Sequence, residues 1–150
     1  PGTFLNKNFH KIEENLFIDD FNKNIIPNIL ITQEAIKFFR SIKKGKIITI
    51  LSSFLDSPSI GSSIYISNKN YLKGLVEVWA KENEKYNISS NYISPSFMIT
   101  GHTSKMDNRL IEQYKDKSSS VELMSVNYVS KAISEFLKND KLKKSIRIPL

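Results

Sequence analysis

Ser52, Tyr65 and Lys69 stand 13 and 4 positions apart, and these three residue types can share one carbonyl oxygen. Residues four apart on a helix lie on one face, a turn from each other. A phenol has an ordinary pKa near ~10 and is a poor proton shuttle at neutral pH. A neighbouring ammonium favours the phenolate and lowers that value, so Tyr65 beside Lys69 is expected to act as a general acid or base. Ser52 is a neutral donor that can hold the oxygen on which negative charge develops.

The surrounding elements must bring the three together. An apolar run makes residues 46–51 a buried strand with Ser52 at its tip. A turn-rich segment containing Pro58 and Gly61 leads to a helix over about residues 62–86, with Ser62 or Ser63 as its cap. Tyr71, Leu72, Leu75, Val76, Val78 and Trp79 give that helix a broad apolar face, and Gly74 interrupts it at about 1 kcal/mol against alanine. Upstream, Phe21, Ile25, Ile29, Ile36 and Phe39 recur at helical spacing, which predicts a long helix over about 19–42 starting at Asp19 or Asp20. Pro27 lacks an N–H, so the helix should kink there and release the Lys23 carbonyl beside Asn24. A second strand is expected at 88–94, a turn at Ser94, Pro95 and Ser96, a helix at about 121–137 and a last strand at 145–148. Strands separated by long helices imply an α/β fold with a parallel sheet. Ligands bind at the carboxyl ends of such strands, where Ser52 and Pro95 would meet.

The spacing of Ser52 with Tyr65-x-x-x-Lys69 resembles the signature of the short-chain dehydrogenase/reductase family, and Gly45 to Ser52 is similar to the strand leading to that family's serine. Asn24, 28 residues before Ser52, falls where the family carries a helix asparagine. Asn91 to Thr100 resembles its Asn-x-x-x-Pro-Gly-x-x-x-Thr segment, with Ser96 in place of the glycine. The resemblance covers nearly the whole chain. It implies a catalytic tetrad of Asn24, Ser52, Tyr65 and Lys69, in which Asn24 anchors a water linked to the lysine. It also implies NAD or NADP as cofactor, held by Tyr65, Lys69, Pro95, Ser96, Met98 and Thr100, with no metal. The substrate would be a small ketone or secondary alcohol, carrier-bound if the likeness of GKIITILS to 3-oxoacyl carrier-protein reductases extends to the pocket. In the family the two long helices build a four-helix interface, which implies a homodimer or homotetramer.

The family binds its dinucleotide through a glycine-rich turn after the first strand. Five glycines without a cluster supply no such turn. The expectation is a single partial domain over residues 1–150, the carboxyl-terminal part of a Rossmann-like doubly wound sheet with an exposed edge on its first strand. That edge predicts poor solubility or oligomerisation of the isolated piece.

Bulk properties agree with a globular domain. The chain has 150 residues, 40% hydrophobic, enough for one core. Zero cysteines exclude disulfides and thiolate metal sites. No run of eighteen apolar residues and no signal-peptide order appear, so a cytoplasmic protein without membrane contact is expected. The net charge of +7 reflects lysine spread along the chain, and no strand interleaves aromatic and basic residues, so no nucleic-acid partner is expected. Lys43, Lys44 and Lys46 form the one basic cluster. It has two readings, a seat for an acidic carrier or phosphate and a solvated helix end. His10 and His102 are read as surface residues. A second reading of the whole chain is a catalytically silent remnant that serves as a helix-mediated interaction module.

Overall fold

The computed structural model describes residues 5–96, 98 and 125–138. After a short 3-10 turn at Phe9–Lys11, two consecutive helices, α1 (Glu14–Asn24) and α2 (Ile26–Ile42), lead to strand β1 (Gly45–Ile50). Helix α3 (Ser63–Asn83) crosses to strand β2 (Ile88–Ile93), and α4 (Val126–Lys138) follows. β1 and β2 are parallel, in register from Gly45 opposite Ile88 to Ile50 opposite Ile93. A parallel pair requires a crossover, and α3 is that crossover. The expected strands at 46–51 and 88–94 and the helix at 62–86 are therefore present to within a few residues, while the strand at 145–148 lies outside the described residues.

The helix expected over 19–42 is two helices. It begins five residues early, at Glu14, because Leu16, Phe17, Asp20 and Phe21 already share a buried or half-buried face, and Phe9 packs edge-on against Phe17 at 6.0 Å. It breaks at Ile25, where φ is −104° and ψ −53°, with Pro27 in the first turn of α2. The break replaces the expected kink and has the same cause, since the proline ring cannot donate to Lys23. The Asn24 carbonyl is taken up by the Asn28 side-chain amide at 2.6 Å. α2 then ends at Lys43, whose φ of 51° terminates it in the left-handed region.

Two apolar clusters cover the two faces of the sheet. Ile25, Leu51 and Leu72 are buried together against Phe21, Ile29 and Tyr92, joining α1, α2 and α3 to one face. Ile93 and Val129 pack with Ile48, Met98 and Ala132 on the other, which seats α4. Helices on both faces make the sheet doubly wound. Within the described residues it has two strands, so one edge of β1 is unpaired there. Lys46, on that strand, donates to the Leu137 carbonyl at 2.7 Å. The basic cluster thus supplies a cation to the last turn of α4, where the macrodipole favours one.

A Cβ added at Gly74, midway along α3, would meet nothing within 4 Å. Replacing Gly74 by alanine should therefore raise unfolding stability by up to about 1 kcal/mol, read as a shifted urea midpoint at unchanged slope. A loss instead would show that another chain or segment packs closely there.

Candidate active site

Ser52 lies two residues past the end of β1, and the hydrogen-bond ladder that holds it outlasts the strand. Leu51 N–H donates to the Ile93 carbonyl at 2.8 Å and Ser53 N–H to the Pro95 carbonyl at 3.0 Å. Ser52 is thereby pinned in extended backbone between two paired neighbours, 9% exposed. Its hydroxyl oxygen accepts from Phe54 N–H at 3.3 Å, capping the 3-10 turn Ser53–Leu55. The chain then reverses at Gly61, whose φ of +83° lies in the region that favours glycine. Lys7 N–H donates to the Gly61 carbonyl at 3.1 Å and so ties the N-terminal segment to this turn. Ser62 precedes α3 as expected, but it does not cap the helix. Its hydroxyl donates to the Ser59 carbonyl at 2.5 Å, holding the turn rather than the helix N–H groups.

Tyr65 lies in the first turn of α3, and its phenol is hydrogen-bonded to the Ser52 side chain. Phe54 meets the Tyr65 ring edge-on at 6.4 Å. One turn on, the Lys69 ammonium donates to the Ile50 carbonyl at 2.9 Å and lies 5.7 Å from the Tyr65 ring centroid. A last-residue carbonyl of β1 thus fixes the lysine, and the hydroxyl just beyond it meets the tyrosine. Asn24 closes α1, half-buried, on the wall of a cavity of about 590 Å³ that Tyr65 and Lys69 also line. Asn24, Tyr65 and Lys69 share that cavity, and Ser52, beside Tyr65, does not line it.

The electrostatics differ from the sequence expectation. Burial pushes the Tyr65 phenol above its ordinary value, and the Ser52 hydrogen bond works against that rise. Burial also pulls the Lys69 ammonium below its ordinary value. Charge proximity alone would have the lysine lower the phenol, but desolvation of both groups wins. Losing water penalises the charged form of each, and only the serine hydrogen bond favours phenolate. At neutral pH the Tyr65 phenol consequently stays protonated.

The expected cofactor positions divide. Pro95 is buried at the end of β2 and tied to Ser53, and Ser96 is half-buried beside it. Met98 packs against the Ile93 and Val129 cluster. None of the three lines the cavity shared by Asn24, Tyr65 and Lys69. Thr100 and His102 lie outside the described residues. Asn91, which opens that segment, is 1% exposed opposite Ile48, and its side-chain amide has no hydrogen-bond partner among the described residues. Among the described residues no cluster of metal-ligating side chains occurs, and no helix is long and apolar enough to cross a membrane.

Two residues of the site escape the sequence reasoning. Asp20 has the look of a helix start, yet it sits mid-helix, 8% exposed, and accepts from the Asn68 side-chain amide at 2.7 Å. Both line the same cavity. The signal is present in the spacing, since Asp20 is one turn before Asn24 and Asn68 is flanked by Tyr65 and Lys69 on α3.

Residues 2–111 match the short chain dehydrogenase family, and the chain belongs to it. It is 32% identical over 94 residues to the peroxisomal hydratase-dehydrogenase-epimerase of Saccharomyces cerevisiae, covering 63% of this chain and 10% of that protein. It is 27% identical over 119 residues to the 3-oxoacyl-[acyl-carrier-protein] reductase FabG of Buchnera aphidicola subsp. Baizongia pistaciae, covering 79% of this chain and 49% of the relative. The chain thus spans half the length or less of these curated relatives. The same fold occurs in a 4-hydroxyisoleucine dehydrogenase complexed with NADH, with a TM-score of 0.87 at 22% identity, over 99% of this chain and 64% of that one. Other solved structures of this fold hold NADP or NADPH.

The depressed Lys69 value sets a sign. A group whose folded pKa lies below its unfolded value contributes stability above the unfolded pKa and loses it as pH falls through the folded one. Wild type should therefore gain in melting temperature on a Lys69→Met variant as pH rises from neutral toward about 10. Tyr65 is present in both and largely cancels. A difference that stays flat with pH would show that the ammonium is not desolvated.

Proposed function

We propose that this chain is the catalytic, carboxyl-terminal portion of an NAD- or NADP-dependent oxidoreductase that interconverts a ketone and a secondary alcohol. The observation that carries the reading is the Ser52–Tyr65 hydrogen bond with the Lys69 ammonium one turn away, all held at the carboxyl end of β1. A purely structural module has no use for a phenol and an ammonium that are both desolvated, since each is held at a cost to folding.

Asn24, Ser52, Tyr65 and Lys69 are the proposed catalytic groups. The Ser52 hydroxyl donates to the substrate oxygen and orients it, and the Tyr65 phenol gives its proton to that oxygen as charge builds on it. In the opposite direction Tyr65 takes the proton back. Lys69 stabilises the phenolate left behind, and Asn24 holds the water that returns a proton through the lysine. The nicotinamide, when bound, supplies or accepts the hydride. The donor set suits its ribose end, because the Lys69 ammonium and the Tyr65 hydroxyl face one cavity. Pro95, Ser96, Met98 and Thr100 form the segment proposed to border the nicotinamide. No glycine cluster is present to cradle a pyrophosphate, so that contact falls to the preceding part of a longer polypeptide. The unpaired edge of β1 is consistent with such a part, and residues 1–150 then form one partial Rossmann domain.

Likeness to a 3-oxoacyl-[acyl-carrier-protein] reductase supports a small keto substrate, carrier-bound, and a cytoplasmic location is part of the proposal. α2 and α3 expose Leu30, Ile31, Phe38, Ile42, Tyr71 and Val78. Such apolar helix faces fit a homodimer or homotetramer better than a monomer. In the complete polypeptide, Tyr65→Phe should lower kcat for reduction of ethyl acetoacetate by NADH or NADPH by about a hundredfold or more, with circular dichroism unchanged. Turnover equal to wild type would sink the assignment.

A further inference from the structure

Asn24 reaches the catalytic group from α1, whereas Tyr65 and Lys69 come from α3, and something must set one helix against the other. The break at Ile25 means that α1 does not inherit its position rigidly from α2. The apolar contacts between α1 and α3 bring them close. Ile25 packs with Leu72, and the Phe21 ring meets Tyr71 edge-on at 5.3 Å. Apolar burial is non-directional, so it fixes separation better than register.

The directional contact is polar. Asn68 Nδ2 donates to Asp20 Oδ2 at 2.7 Å, across an interface where Asp20 is 8% exposed. Hydrogen bonds to an ionised acceptor are short and strong, and they add geometric specificity. Asp20 is one turn from Asn24, and Asn68 sits between Tyr65 and Lys69, so the bond joins the two helices within a turn of every helical member of the tetrad. All five residues line one cavity.

We infer that the Asp20–Asn68 hydrogen bond is a positioning device that sets the register of Asn24 against Tyr65 and Lys69. The inference rests on the oxidoreductase reading above. Asp20 and Asn68 need not touch substrate or cofactor. Misplacement of catalytic groups by an ångström can cost about a hundredfold in rate, so slack of a fraction of that should cost about tenfold.

The test uses the complete polypeptide with NADH or NADPH and a panel of small ketones and keto esters, ethyl acetoacetate among them. Asp20→Ala or Asn68→Ala alone removes one partner of the bond and leaves the other without it, and each should lower both stability and kcat. The double variant D20A/N68A removes both partners, which can be nearly neutral for stability. Its melting temperature should return toward that of wild type while kcat stays about tenfold low and KM for the ketone changes less than about twofold. Asp20→Asn keeps an acceptor oxygen for Asn68 and should retain kcat within about threefold. If kcat recovers along with melting temperature in the double variant, the bond is merely structural and the inference falls. It falls equally if Asp20→Asn is as slow as Asp20→Ala, since charge and not the bond would then matter. A wild type inactive on the whole panel would sink the oxidoreductase reading itself, an outcome distinct from an active wild type with a fully active double variant.

Discussion

The arrangement depends on where β1 stops. Its last residue, Ile50, leaves a carbonyl that the Lys69 ammonium takes up, and two residues on, the Ser52 hydroxyl meets Tyr65. Neither bond would form if α3 were displaced by a turn, because tyrosine and lysine are themselves one turn apart. The parallel register fixes the strand tip, and the ladder through Leu51 and Ser53 carries it past the last strand residue. Sheet pairing thus places the serine, helix periodicity spaces the other two, and one backbone carbonyl locks strand to helix.

Desolvation gives the site its chemical character. A phenol with a raised pKa and an ammonium with a lowered one are both biased toward their neutral forms. That bias is opposite to the one expected from charge proximity alone. It keeps Tyr65 protonated at neutral pH, which is the state the proposed proton donor needs. The serine hydrogen bond pulls the other way and keeps the phenolate accessible. The balance belongs to burial, which spacing in a sequence does not report.

Much of the site is nevertheless legible from residue types and intervals. Alternating long helices and apolar strands set the class, and the intervals between Asn24, Ser52, Tyr65 and Lys69 mark a family to which the match over residues 2–111 assigns the chain. The start of α1 is not legible, because its early face is made by Leu16 and Phe17 packing on a preceding turn rather than by a regular apolar stripe. Ser62 has the residue type and position of a cap but the hydrogen bond of a turn. Short polar side chains choose among several local partners. For the serine, as for the early turn of α1, only the three-dimensional path decides which partner is within reach.

Asp20 shows the same limit at higher stakes. An aspartate near a helix start is ordinarily explained by the macrodipole, and nothing local contradicts that. The explanation fails once α1 begins at Glu14, six residues earlier, for then Asp20 sits a turn and a half inside and is buried. A buried carboxylate must be compensated, and Asn68 lies across the helix interface at hydrogen-bonding distance. The proline that breaks the helix and the polar pair that joins α1 to α3 are therefore linked features. The break frees α1 to approach α3 on its own terms, and the pair supplies the direction that apolar contacts between Phe21, Ile25, Tyr71 and Leu72 lack.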